Sequence, residues 1–275
     1  MQSEIDAANA EFWNTLCGTT TAMCLGIKDH GPESLKRFDD EYFSLYPYLL
    51  PIVGPRRMRR KKVLEIGLGY GTLGQKIAEA GAIYSGLDIA ENPVKMMNHR
   101  LRMSNLPGQA VQGSSLEMPF PDQTFDHVVS IGCFHHTGNV QRCIDETHRV
   151  LKQDGSAVLM VYNKFSWRQW TQWPRATLKD FVKEVFATSS ARRGNTEQCA
   201  AYDPKPDGEA APETVFSSKK DLRTALRQFD SVQFLKRNCD NLTVFGKILV
   251  RRKKLLPIVG PLLGLDIYLE AKKAA

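Results

Sequence analysis

The residues able to do chemistry are grouped around short apolar runs. Gly67-Leu68-Gly69-Tyr70-Gly71-Thr72-Leu73-Gly74 follows the apolar run Val63–Ile66 and leads into a helical pattern over 75–80. Glycine has no Cβ, so such a loop turns sharply and lets a ligand touch the backbone. A loop that opens a helix also aims free N–H groups at that ligand. This is the chemistry of a nucleotide-type cofactor site. Glu65 stands two residues before Gly67, and a carboxylate inside a buried strand is costly without a partner. Asp88 closes the next apolar run, where a carboxylate can accept hydrogen bonds from two ribose hydroxyls or cap the following helix. His135 and His136 follow a later run, and histidine is the usual general base near neutral pH. The same pair could equally serve a structural or helix-capping role. A metal centre built from Cys133, His135, His136, Cys143 and His148 matches no familiar zinc spacing, so no metal is expected.

The elements that must position these residues are legible as alternating patterns. Short apolar strands are expected at 63–66, 83–87, 109–112, 127–131 and 157–161, with helices near 73–81, 92–104 and 140–151. Such alternation predicts an α/β fold with a parallel sheet and helices on both faces. Lys152-Gln153-Asp154-Gly155 reads as a glycine stop closing the last of these helices. Residues 1–62 read as an aromatic N-terminal helical cap, broken by Pro47, Pro51 and Pro55 before the first strand. After Tyr162 the regularity lapses into an insertion at about 163–218 that holds Trp167, Trp170 and Trp173. A helix over 219–229 and strands over 231–236 and 265–271 complete a second segment, 63–275.

With 275 residues the chain can bury one substantial core, and 42% apolar and 24% charged residues are ordinary for a globular protein. The start is polar and acidic, without a secretory pattern, and the six cysteines are scattered; both point to a reducing, cytoplasmic setting. The net charge of +7 comes largely from two clusters, Arg56–Lys62 and Arg251–Lys254. No RNA-binding signature accompanies them, so nucleic acid is not the expected partner.

Gly69-Tyr70-Gly71-Thr72-Leu73-Gly74 is literally GxGxxG, which also fits a dinucleotide-binding fold. Two further features favour S-adenosylmethionine. Glu65 makes the stretch ExGxGxG, and later segments carry a matching series: YSGLDI over 84–89, GSSLEMPFP over 113–121 with DQTFD over 122–126, VVSIGCFHHT over 128–137, and HRVLKQDG over 148–155. In these motifs the chain resembles the class I S-adenosylmethionine-dependent methyltransferases, in particular the large group acting mostly on small molecules. The resemblance covers roughly residues 60–163. It implies a Rossmann-like, mostly parallel seven-stranded sheet with an antiparallel last strand. It further implies that Gly67, Gly69 and Gly71 pass close to the methionine part of the cofactor and that Glu65 orders the loop and the ammonium side. Asp88 would take the ribose hydroxyls and Ile89 the adenine face, with Ser115 and Leu116 bordering the adenine. The Ile131–Gly132 backbone would face the ammonium. Many relatives have Asp where this chain has Ser114, which leaves one serine acceptor for the adenine amino group.

Methyl transfer from a sulfonium needs a positioned nucleophile, exclusion of water and, for an O–H or N–H acceptor, a base. One of His135 and His136 is the expected base. The small-molecule acceptor is expected under a lid formed by 163–218 and 244–264 with the aromatic N-terminus. The basic then apolar run 251–264 could instead be a self-packed helix or a weak membrane-surface contact. RNA or protein methylation, an NAD-dependent oxidoreductase and a non-catalytic cofactor-binding module are the competing functions.

Overall fold

The computed structural model describes residues 2–15, 19–186, 190–205, 208–244 and 246–274. The cap consists of α1 (Gln2–Asn14), α2 (Thr19–Cys24), α3 (Pro32–Leu45) and α4 (Leu49–Val53). A regular alternation follows: β1 (Lys62–Ile66), α5 (Thr72–Glu79), β2 (Ile83–Asp88), α6 (Glu91–Met103), β3 (Gln109–Gln112), β4 (Phe125–Ile131), α7 (Val140–Val150) and β5 (Leu151–Tyr162). Residues 163–218 carry α8 (Trp167–Gln172), α9 (Pro174–Phe186), β6 (Arg192–Arg193), α10 (Thr196–Tyr202) and β7 (Val215–Phe216). The chain then forms α11 (Lys219–Ala225), β8 (Ser231–Arg237), the hairpin β9 (Leu242–Val244) and β10 (Lys247–Val250), α12 (Arg252–Leu263) and β11 (Asp266–Lys272).

The main sheet has seven strands in the order β3-β2-β1-β4-β5-β11-β8. Its first five strands pair parallel, and β11 runs antiparallel to both its neighbours, as the resemblance implied. The fold is Rossmann-like. β1 is buried from its second residue onward, because helices cover both faces of a parallel sheet. Leu64, Ile66, Val128 and Leu159 pack on the face shared with α7 and α11. Val63, Val129 and Tyr268 pack on the other, beneath Leu73, Ile77 and Met97 of α5 and α6. Five parallel strands therefore end on one edge, and the loops following β1, β2, β3 and β4 meet there.

Two expectations need correction. Gly155 is no helix stop, since α7 ends at Val150 and Leu151 already opens β5. Residues between Leu151 and Ser156 form a bulge against β4, whose partners advance only from Phe125 to His127. Residues 163–218 are also not irregular, because three helices and a two-stranded ladder organise them. The first basic cluster precedes β1 and lies at the opposite edge, where Arg57 pairs with Glu270 at 3.3 Å. Cys17 lies outside the described residues; of the others, Cys143, Cys199 and Cys239 are buried and Cys24 is exposed. Among the described residues no helix is long and apolar enough to cross a membrane.

Candidate cofactor and acceptor site

The glycine loop leaves β1 in a conformation that side chains disfavour. Gly67 has φ +81°, and a Cβ there would lie 2.5 Å from Cβ of Cys133 in the loop after β4. A Cβ on Gly74, in the first turn of α5, would run into the Glu65 carboxylate and the Tyr84 hydroxyl. The absent side chains thus let the loop, α5 and the neighbouring strand close on one another.

Glu65 is buried, and its Oε2 accepts a hydrogen bond of 2.5 Å from Tyr84. Burial pushes its pKa up to about 8, and the hydrogen bond from Tyr84 only partly opposes this. Asp88 ends β2 as expected. One of its oxygens accepts from the Leu68 N–H at 2.7 Å and the other from Ala90 N–H at 2.9 Å. Burial raises its pKa, opposed by those backbone donors. It does not cap α6, which has Ala90 at its N-cap and no side-chain cap. The Ile89 N–H joins those backbone donors in opposing the rise, and the carboxylate keeps acceptor capacity for one further donor.

These groups open onto one cavity of about 300 Å³. One side of it is lined by Gly67, Gly69, Asp88, Ile89, Ser114 and Ser115, with Glu65, Ile131 and Gly132 beside them. The Ser114 hydroxyl already accepts from the Leu116 N–H at 3.2 Å. Gly71 shapes the loop without lining the cavity, and Leu116 is a correction: its side chain packs in the core below the sheet edge. The roof comes from the N-terminal helices, through Asn9, Trp13, Phe38, Tyr42 and Tyr46. Among the described residues, none of those lining the cavity belongs to 163–218 or 244–264, so the lid expected from those segments is supplied by the cap.

The cap is clamped to the glycine loop by an arginine that sequence reading missed. Arg100 of α6 is fully buried; it donates to both carboxylate oxygens of Asp39 on α3, at 3.0 and 2.9 Å, and to the Tyr70 carbonyl at 2.6 Å. Thr72 completes the network with a 2.8 Å hydrogen bond to Asp39. A cation amid Met96, Met97 and Leu101 on the buried face of a helix was the available signal.

The two histidines part company. His135 is fully buried, does not line the cavity, and among the described residues neither ring nitrogen has a hydrogen-bond partner. Burial, reinforced by the neighbouring His136, holds its pKa well below the usual range, and its ring packs 4.0 Å from that of Tyr162. The expectation of a base at His135 is therefore corrected: it is a neutral packing residue. His136 lines the cavity. Its Nδ1 lies 2.7 Å from the Glu213 carbonyl, which can only accept, so Nδ1 carries a proton. Its Nε2 lies 3.6 Å from Asp203, whose two oxygens both stand 2.9 Å from the Tyr162 hydroxyl and share its one proton. Burial raises the pKa of Asp203, opposed first by His136. Trp13 packs against the imidazole with ring centroids 4.7 Å apart and planes tilted by 54°, and Asn9 donates to the His136 carbonyl at 2.7 Å. Asp203 and Glu213 belong to the insertion, which thus holds His136 without lining the cavity. No local pattern in the sequence announced either residue.

Residues 64–159 match the family model described as a methyltransferase domain. Over 104 residues the chain is 29% identical to a demethylmenaquinone methyltransferase of Tropheryma whipplei, covering 38% of this chain and 42% of that one. Over 97 residues it is 32% identical to a fatty-acid O-methyltransferase of Mycolicibacterium smegmatis, covering 34% of this chain and 35% of that one. The matched stretch spans less than half the length of either relative. A solved SAM-dependent methyltransferase of Methanosarcina mazei shares the fold at 17% identity and TM-score 0.51, over 82% of this chain and 97% of that one.

Proposed function

From the premise that residues 64–159 form a class I S-adenosylmethionine-dependent methyltransferase domain, we propose that the protein transfers a methyl group from S-adenosylmethionine to O or N of a small, partly apolar metabolite in a biosynthetic pathway. The observation that carries this reading is the single cavity running from Asp88 and Ser114, past the glycine loop, to an aromatic room beside His136. Its volume of about 300 Å³ lies at the small end for ligand sites.

The residues fit the cofactor. Asp88 keeps acceptor capacity for a ribose hydroxyl, and Glu65 is a buried acid that a cationic ammonium would match. When bound, S-adenosylmethionine supplies an activated methyl group. The chain's own residues orient the partners and exclude water, with Tyr42, Tyr46 and Trp13 closing over the acceptor. His136 accepts the acceptor's proton at Nε2, and the Asp203 carboxylate beside it stabilises the imidazolium that results. The two sequence relatives are described as acting on a demethylmenaquinone and on fatty acids, which supports an apolar acceptor. The scattered spacing of the six cysteines, with no CxxC pair, supports a reducing, cytoplasmic setting. Titration calorimetry with S-adenosylmethionine, S-adenosylhomocysteine and NAD tests the proposal: the first two should bind, and binding of NAD alone would overturn it.

A further inference from the structure

Helix α9 turns an unusual side to solvent. Leu178, Phe181, Val182, Val185 and Phe186 recur at i, i+3, i+4, i+7 and i+8, the spacing of a stripe that ordinarily faces a core. They are instead 46–84% exposed, Phe186 the most. The acids of the helix point the other way: Asp180 pairs with Arg192 and Glu184 with Lys164, each at 3.0 Å. Its cations Arg175, Lys179 and Lys183 are all exposed. The solvent side of α9 is therefore apolar and cationic, with the negative charge consumed inside the protein.

A second patch has the same composition. The β9–β10 hairpin and α12 expose Ile248, Leu249, Ile258 and Leu262 at 55–67%. Residues 241–265 contain five cations, Lys247 and Arg251–Lys254, and no acid. Lys236 of β8 joins the two patches: its Nζ donates to the Leu262 carbonyl at 3.2 Å, and Glu184 of α9 is near enough to act on its charge. Both segments lie beyond the carboxyl edge of the sheet, the edge that carries the cavity.

We propose that α9 and the β9–β10–α12 segment form a docking face for an anionic lipid surface, their apolar side chains entering the acyl boundary while the surrounding lysines and arginines meet headgroup phosphates. Charge complementarity selects this occupant. A second copy seated by a two-fold axis on α9 would lay Arg175, Lys179 and Lys183 near their own counterparts. The lipid surface and the cavity then share one edge, so the acceptor is drawn from the bilayer. That last step rests on the methyltransferase reading, whereas lipid binding does not.

Co-sedimentation of the full chain with vesicles tests the face. Vesicles containing phosphatidylglycerol should bind at least about tenfold better than pure phosphatidylcholine, with the difference shrinking at high salt. The double variant V185D/F186E should lose about tenfold or more of that binding while its calorimetric response to S-adenosylmethionine stays unchanged. Ile83→Glu alters a 56% exposed apolar residue at the opposite edge and should bind vesicles like the parent. Equal binding to both vesicle types, binding to neither, or unaltered binding by the double variant would each overturn the proposal. So would a dimer that the double variant dissociates in a chain that ignores vesicles, since a second copy would then cover the face. Vesicle binding without any response to S-adenosylmethionine would leave the lipid face standing and remove the methyltransferase reading alone.

Discussion

The two ends of the cavity are built on different principles. At the cofactor end, the glycine loop, Glu65 and Asp88 come from one strand–loop–helix–strand unit, and Asp88 is held by N–H groups at positions 68 and 90. At the acceptor end, His136 is held by Glu213, Asp203 and Trp13, which come from the insertion and from the first helix. The first end is secured largely by backbone geometry, which many sequences of the right pattern can supply. The second is secured by side chains brought together from distant segments, so under the proposed function it can change with the acceptor while the first end stays as it is.

The contrast can be broken most severely at Arg100, the clamp joining the cap to the loop. Arg100→Met leaves Asp39 buried without its cation and should cost about 3–5 kcal/mol in chemical denaturation. A double change with Asp39→Asn should recover part of that loss, and a loss under about 1 kcal/mol for Arg100→Met would show that the clamp is ornamental. Asp88→Ala should weaken S-adenosylmethionine binding about 100-fold, the value of one strong charge-assisted hydrogen bond. Undiminished affinity in calorimetry would remove Asp88 from the site. His136→Gln should spare that affinity and lower kcat about 100-fold, whereas His135→Gln should act mainly on stability. An unchanged kcat in the His136 variant would exclude a histidine base.

The smallest effect is a proton linkage at Glu65. Its pKa of about 8 means the free protein holds that proton at neutral pH, while a bound cation favours the ionised form. Binding should therefore release a proton below pH 8. Affinity should rise about fivefold from pH 7 to pH 8 and then level off. Calorimetry in buffers of different ionisation enthalpy measures the released proton, and Glu65→Gln should abolish it. A pH-independent affinity in the parent chain would mean that Glu65 never meets the cofactor's charge.

Legibility followed the same divide. The five parallel strands and their helices could be read because apolar runs and glycine or acidic punctuation repeat within a few residues. Gly155 misled because a glycine stop and a strand bulge look alike until the partner strand is in place. Leu116 misled because nothing local tells a residue that borders the cavity from its neighbour packed in the core: Ser115 lines the cavity, whereas Leu116 belongs to the core beneath it. Arg100 announced itself only as a charge on an apolar helix face, and its partner Asp39 lay 61 residues away.

The sequence by itself determined the fold class and the placing of the glycine loop, Glu65 and Asp88 at one edge of the sheet, because each depends on neighbours within one supersecondary unit. Tertiary structure decided which histidine faces the cavity, what roofs it, and which carboxylate backs the imidazole. The physical reason is that two adjacent residues of the same type leave a short turn in different directions. Only long-range packing, here Trp13 and Glu213 against His136 and Tyr162 against His135, sets which of them is buried and which is available.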